Sequence, residues 1–516
     1  MTHSPSRRAL LRGIGLAVGG VILSESADAS TPTTTVPDGV IPHGARAEWV
    51  RRENTRPGDG SWLRGVAAPA GELEGYADAT SVNLGGTISF FVSTPSPTYS
   101  FSVFRMGYYQ GLGARLVQTG AHLRGVSHPI PAPDQYGTVD CHWPTAFRLR
   151  LDKRYLPGQY LVRLENASHQ FRFIPFLVRD DTSRATFVYL SAVTTWQAYN
   201  TWGGFSLYRQ TTPVGAVPIS DVNRAVRVSF NRPYDRVFAN GAADFVGNEF
   251  PLLFLAEQLS LDLTYWTDID LHQRGQLLTR HRALLSLGHD EYYSPAMRGA
   301  VTRAVARGVN VAFFGANFCY RKIRFQPGVN GPDRLMINYR STADPITATD
   351  PALATVNWSQ YPSDLPESTF TGSIYGGVDG TGSLTVVEAS SWLWRGTGVR
   401  NGTVLAGALG GEFNHYDPAT TNPPNVQILG HSAVGGGVSD VTYVAERGQG
   451  GVFASGTGHW IFDLSDAPRL GNFWVPAPLA NVTPVVRRAT INIFSRFAIG
   501  PAGLTTPSVA NTATFY

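Results

Sequence analysis

The sequence predicts an antiparallel β-sandwich followed by an α/β domain built on a parallel sheet. Two patterns carry that prediction. From about Glu48 to Arg179, short apolar–polar alternations sit between turn residues, the period-two signature of half-buried strands. After Asp180-Asp181 the rhythm changes to strand, helix, strand, which is the pattern of parallel βαβ units. Composition agrees: of 516 residues, 43% are hydrophobic and only 16% charged, enough apolar surface for a core and too little charge for a disordered chain. The 55 glycines and 34 prolines fit a turn-rich, β-rich chain. At roughly 150 residues per domain, this length holds two or three domains.

The first thirty residues read as an address. Ser6-Arg7-Arg8-Ala9-Leu10-Leu11-Arg12 resembles a twin-arginine export signal, and an uncharged stretch follows from Gly13 to Ser24. That stretch is too short and glycine-rich to span a bilayer, which takes about 20 apolar residues. Ala27-Asp28-Ala29 supplies a small-x-small cleavage site that would leave Ser30 as the new terminus. An ordinary secretory signal that happens to contain Arg-Arg is the other reading. The twin-arginine route carries folded proteins, often with a cofactor already inserted, so it hints at a metal. The expectation is an extracytoplasmic protein, secreted or envelope-associated, with no transmembrane anchor in the mature chain. The expected division is a signal peptide over 1–29, a sandwich over 30–182 and an α/β domain over 183–516 with an insertion at about 325–450.

Within the sandwich, Thr87–Val92, Tyr99–Phe104 and Gln159–Leu164 are the clearest strands, and no helix of convincing length stands out. In the α/β part, strands are expected over 185–192, 262–266, 282–287 and 309–315, with a helix over 250–261. Ser294-Pro295 caps a further helix that Gly308 ends. From 325 to 450 the chain is rich in Gly, Pro, Ser and Thr. The α/β pattern returns at Gly450–Gly456, and a last helix begins near Thr483-Pro484.

The net charge of +4 is too weak and too scattered to indicate a nucleic-acid partner. Two cysteines, Cys141 and Cys319, build neither a disulfide scaffold nor a cysteine metal cage. They either pair across the domains or stay as two buried thiols, the reading that suits a protein folded before export.

The strongest local feature is Leu284–Pro295, a buried strand running through a tight turn into a helix, with His289, Asp290 and Glu291 at its tip. In an open α/β sheet that turn lies at the edge where ligands bind. These residues are either metal ligands and bases displayed over the sheet or acids serving the next helix N-terminus. The segment Thr194–Gly204 follows the first α/β strand to the same edge, either lining a pocket or forming a packed aromatic loop. Asn317, the stretch Gly410–His415 and the stretch Gly456–Trp460 reach that neighbourhood too.

These residues carry a resemblance. Arg105-Met106-Gly107-Tyr108-Tyr109 with Gly113-Ala114-Arg115, Gly158–Leu164, Trp196-Gln197-Ala198-Tyr199-Asn200, Gly288-His289-Asp290-Glu291-Tyr292, Asn317 and Ala454-Ser455-Gly456-Thr457 resemble the large subunit of N,N-dimethylformamidase and its uncharacterised relatives, from about residue 80 to 500. The resemblance implies an Ig-like sandwich joined to a flavodoxin-like α/β domain akin to class I glutamine amidotransferases. It implies a single ferric ion held by two tyrosines and a glutamate. Glu291 matches the glutamate ligand, Tyr199 one tyrosine and Tyr160 the other, with Tyr208, Tyr292 and Tyr293 next in line. His289, Asn317 and Glu412 match the catalytic residues, and His459 joins them by location. Asp290 departs from the family pattern and would add a negative charge beside the ligand. The expected activity is hydrolysis of an amide-like C–N bond in a small molecule, with metal-activated water as nucleophile. The alternative is a non-catalytic envelope protein binding carbohydrate or another surface ligand. The sequence leaves the oligomeric state open.

Overall fold

The computed structural model describes residues 41–211, 223–237, 239–378, 381–470 and 478–516. The segment read as an export signal lies outside the described residues. No helix among the described residues is long and apolar enough to cross a membrane.

The fold is mixed α/β. Its N-terminal part holds strands β1 (Val66–Ala67), β2 (Glu74–Ala77), β3 (Ser81–Asn83), β4 (Thr87–Ser93), β5 (Thr98–Met106), β6 (Ala114–Arg124), β7 (Phe147–Arg150), β8 (Gly158–Asn166) and β9 (Gln170–Arg179). One sheet has the order β1-β9-β8-β5-β6 with β3 also on β9, and a second has the order β2-β4-β7. Only β1 and β3 run parallel to their neighbour. The two sheets share one core. Phe101 of the first stacks on Phe147 of the second at 4.3 Å, and Phe90 meets Phe176 edge-on at 5.7 Å. A short helix, α1 (Glu48–Asn54), precedes the strands. It escapes the sequence reading because two turns leave too few apolar positions to show a period; exposed Arg51 and Arg52 pair with Glu48 on its outer face.

The second part is a seven-stranded sheet: β10 (Phe187–Ser191), β11 (Leu263–Thr267), β12 (Ala283–Ser286), β13 (Asn310–Phe313), β14 (Gln427–Val434), β15 (Gly437–Val444) and β16 (Val452–Ala454). Their order is β11-β10-β12-β13-β16-β15-β14. The first five in that order are parallel. The hairpin β14–β15, inside the stretch read as an insertion, adds antiparallel to the edge of this sheet. Helices α2 (Val193–Tyr199), α3 (Phe250–Gln258), α4 (Asp268–Arg274), α5 (Pro295–Ala306) and α6 (Thr483–Phe497) complete the domain. Ser294 caps α5, its Oγ accepting from the Met297 N–H at 3.2 Å. Parallel strands deliver every following loop to one edge, so the segments after β10, β12, β13 and β16 all arise there. Cys141 and Cys319 are free and buried.

A buried ion pair joins the two parts. Arg105, at the end of β5, and Glu257, in α3, are both 0% exposed and meet at 2.6 and 2.9 Å. Around them Asn54 and the Tyr265 hydroxyl donate to Glu257, and the Tyr109 hydroxyl accepts from Arg105 and donates to Glu53. The Arg105–Tyr109 motif therefore serves architecture. Removing one partner strands a buried charge, which costs about 3–5 kcal/mol. Glu257→Gln is expected to lower unfolding stability by that order in urea titration, and Arg105→Met to do the same. A loss below about 1 kcal/mol in both would mean that the pair does not hold the two parts together.

Candidate active site

The site begins with the turn after β12. Gly288 has φ +52°, and a Cβ there would lie 2.3 Å from the Asn248 carbonyl oxygen. Gly315, leaving β13, approaches so closely that its Cβ would meet the Gly288 carbonyl at 1.7 Å. Only glycine permits this turn to sit against the next strand's exit. The chain then alternates. Asp290 points down, where its Oδ2 accepts from Ser286 Oγ at 2.6 Å and the Tyr293 hydroxyl at 2.7 Å. Burial pushes its carboxyl up to about 6. The expectation that Asp290 adds charge beside Glu291 is thus corrected: the two side chains leave opposite sides of the turn.

Helix α2 is stitched to this turn. The Glu291 N–H donates to Thr195 Oγ1 at 2.9 Å, and Thr194 Oγ1 contacts the Tyr292 carbonyl at 2.9 Å. The buried carboxyl group of Glu249 holds the helix start, accepting from the Ala192 N–H, Ser191 Oγ and Trp196 Nε1 at 2.9, 2.7 and 3.0 Å. Trp196 is a packed residue, while Tyr199 at the helix end reaches the site. The aromatic loop is therefore both things the sequence allowed.

Glu291 is fully buried and collects donors. Its Oε2 accepts from the Tyr199 hydroxyl at 3.0 Å and the Tyr208 hydroxyl at 2.6 Å; its Oε1 accepts from Arg321 Nε at 3.2 Å. The two tyrosine rings stack at 4.1 Å. The Tyr292 hydroxyl donates to that of Tyr208 at 2.8 Å. His289 Nε2 lies 2.8 Å from Glu412 Oε2 and 3.4 Å from Glu291 Oε2. Burial alone would lower the imidazole's pKa; the Glu412 charge and the hydrogen bonds to both carboxylates outweigh it and hold His289 well above the usual range, so it is an imidazolium at neutral pH. The Asn317 amide nitrogen is 3.2 Å from His289 Nε2, and its buried Oδ1 has no hydrogen-bond partner among the described residues. Asn317 sits at φ +54°, tolerated by asparagine, and its N–H is held by Asn414 Oδ1 at 2.7 Å. Asn414 and Glu412 lie two apart on one strand, so one face positions Asn317 and meets His289.

Tyr199, His289, Glu291, Asn317 and Glu412 thus converge. Tyr160 does not. It is fully buried in the sandwich, its hydroxyl donating to the Leu156 carbonyl at 2.8 Å and its ring stacked on Phe176 at 5.2 Å. The second tyrosine that reaches Glu291 is Tyr208. Tyr293 is turned to Asp290, and His459 packs with its Nδ1 3.3 Å from the Gly407 carbonyl. Arg321, Arg340 and Glu249 went unread because they lie in segments without a chemical motif. Among the described residues, no group of three or more His, Cys, Asp or Glu side chains is arranged to hold a metal. The convergent oxygens of Tyr199, Tyr208 and Glu291 are a different donor set, one that suits a hard trivalent ion.

This is a mixed α/β chain whose polar site sits at the carboxyl ends of a parallel sheet. Residues 100–472 match the family described as N,N-dimethylformamidase beta subunit-like, C-terminal, and the chain belongs to that family. No curated protein matches. Among solved structures, an uncharacterized protein from Bacillus anthracis strain Ames is similar at 14% identity over 24% of this chain and 93% of its own, with a TM-score of 0.16. VCBP3 domain 1 from Branchiostoma floridae is similar at 12% identity over 22% and 98%, with a TM-score of 0.15. Likenesses that slight carry no argument here.

Glu249 yields a test of how the site is supported. Burial pushes its carboxyl up to about 8. The folded chain then keeps a proton that the unfolded chain loses near pH 4.5, so this group's contribution is full below pH 4.5 and is lost as pH rises through 8. Glu249→Gln keeps the shape and cannot ionise. Unfolding free energies measured from pH 5 to 8.5 are expected to fall less steeply in the variant than in the wild type; parallel curves would place the carboxylate in a charged state throughout.

Proposed function

We propose that this chain is an exported metal-dependent hydrolase that cleaves an amide-like C–N bond of a small molecule. The observation that carries the reading is the convergence of two phenol groups on Glu291 Oε2, beside the His289–Glu412 pair. The export part rests on Arg7-Arg8 and the weak apolar stretch behind them. In this reading residues 30–182 are an Ig-like sandwich and 183–516 an α/β domain akin to class I glutamine amidotransferases, its insertion at about 325–450 lending the hairpin β14–β15 to the sheet.

Glu291, Tyr199 and Tyr208 would hold a mononuclear Fe(III). Bound there, the ion supplies Lewis acidity toward a carbonyl oxygen and toward water. The side chains do the rest. Glu412 takes a proton from the attacking water as its oxygen bonds to the carbonyl carbon. Asn317 orients the carbonyl oxygen through its side-chain amide. As the C–N bond breaks, His289 gives its Nε2 proton to the leaving nitrogen, and the proton on Glu412 then passes back across the 2.8 Å contact. Arg321 fixes Glu291 through Oε1, leaving Oε2 to face the two phenols.

Protein from iron-replete cells is expected to be coloured by phenolate-to-iron charge transfer. Glu291→Gln should lose most of the metal, since a neutral amide is a poor partner for a trivalent ion. Tyr208→Phe should weaken or shift the band, while Tyr160→Phe leaves it unchanged. His289→Ala should keep the metal and slow release of amine from N,N-dimethylformamide or small amides by about 10²–10⁴-fold. A colourless, metal-free wild type would overturn the reading and leave a non-catalytic envelope binder in its place.

A further inference from the structure

A guanidinium with no acidic partner among the described residues sits at this site. Arg340 Cζ lies 4.0 Å from the centre of the Tyr208 ring, and its Nη2 donates to the Tyr292 hydroxyl at 3.0 Å. Its Nε donates to Asn338 Oδ1 at 3.2 Å, and its Nη1 makes no hydrogen bond among the described residues. The backbone at Arg340 is left-handed, φ +58°, a conformation that a long side chain adopts only when the surroundings enforce it. Behind it stands Arg224, whose guanidinium donates to the carbonyls of Ala225, Asn338 and Tyr339. Burial, and after it the neighbouring Arg340 charge, lowers Arg224 to about 10, so it stays a cation at neutral pH. Among the described residues neither arginine lies within ion-pair distance of a carboxylate. Arg321, by contrast, is neutralised by Glu291.

Two like charges held together, half-buried and with no carboxylate beside them among the described residues, are costly unless an anion completes them. The free Nη1 offers a donor beside Tyr208, and Arg224 braces the 338–340 segment that presents it. We propose that the substrate is an anionic amide, one carrying a carboxylate that docks on Arg340 with Arg224 adding its field from behind. Arg340 is then the specificity-determining residue. The location rests on the hydrolase reading above, but the anion site is built from residues that reading does not use.

The test is calorimetric titration of the full chain with N-acetylglycine and with its neutral near-isostere N-acetylglycinamide. The wild type is expected to bind the anion at least about tenfold more tightly, in keeping with a charge-assisted hydrogen bond. Arg340→Met should abolish the preference and Arg340→Lys should keep part of it, which separates loss of charge from loss of fold. Glu291→Gln should retain the preference, so the anion site can stand even if the protein holds no metal and hydrolyses neither compound. Equal binding of the two probes, no binding of either, or a preference that survives in Arg340→Met would overturn the proposal. Metal-dependent hydrolysis of both amides at equal rates would overturn it too, while leaving the hydrolase reading intact.

Discussion

The Arg105–Glu257 pair is the constraint from which the rest of the arrangement follows. Both groups are out of water; each bonds to the other across the two parts, and Asn54 of α1 adds a donor to Glu257. Helix α3 that carries Glu257 begins just after Glu249, whose carboxyl holds the start of α2. The two buried acids lie one at each end of one short segment. Tyr189 and Tyr265, on adjacent strands with rings 5.5 Å apart, back them in turn. The element that clamps the sandwich to the sheet is therefore the element that fixes the entry of Tyr199 into the site. Buried pairs are weak sources of net stability but strong sources of register, and register is what a site assembled from distant segments needs.

The site itself shows how one turn sorts neighbouring acids into different jobs. Asp290 and Glu291 are adjacent, yet one is sunk beneath the sheet edge among Ser286 and Tyr293 and the other faces the tyrosines. Burial raises the carboxyl to about 6 in the first case, against the opposing pull of the His289 charge. Arg321, at 3.2 Å, favours the carboxylate in the second. His289, one residue earlier, is kept protonated by two carboxylates. Three consecutive residues thus meet three different electrostatic environments, set by the direction each side chain takes.

Much of this was legible because parallel topology is a rule about edges. His289, Glu291, Asn317 and Tyr199 each follow a strand of one sheet, so their convergence could be read before any distance was known. The strands and helices of the α/β part were readable for the same reason, from apolar runs ended by glycine or capped by Ser-Pro. The hairpin β14–β15 was only half readable. Gly435-Gly436 between two β-like runs signals a tight turn, and both residues have positive φ. Nothing local says which sheet such a hairpin will join, and its Gly- and Ser-rich surroundings hid its place on the edge.

The two tyrosines mark where reading by motif gives way. Tyr160 sits in a family-like stretch, but its strand alternates, and Tyr160 shares a face with Val162 and Leu164. That face is the sandwich core, so the period-two pattern already argued against a ligand there. Tyr208 lies in an irregular loop after α2, with no period to assign it a direction. Its position is fixed by pairings that no spacing encodes: the stack on Tyr199, the hydroxyl on Glu291, and Arg340 over its ring. Strand ends are placed by the backbone and follow from pattern. A loop side chain is placed by its partners, and those become visible only once the partners have been brought together.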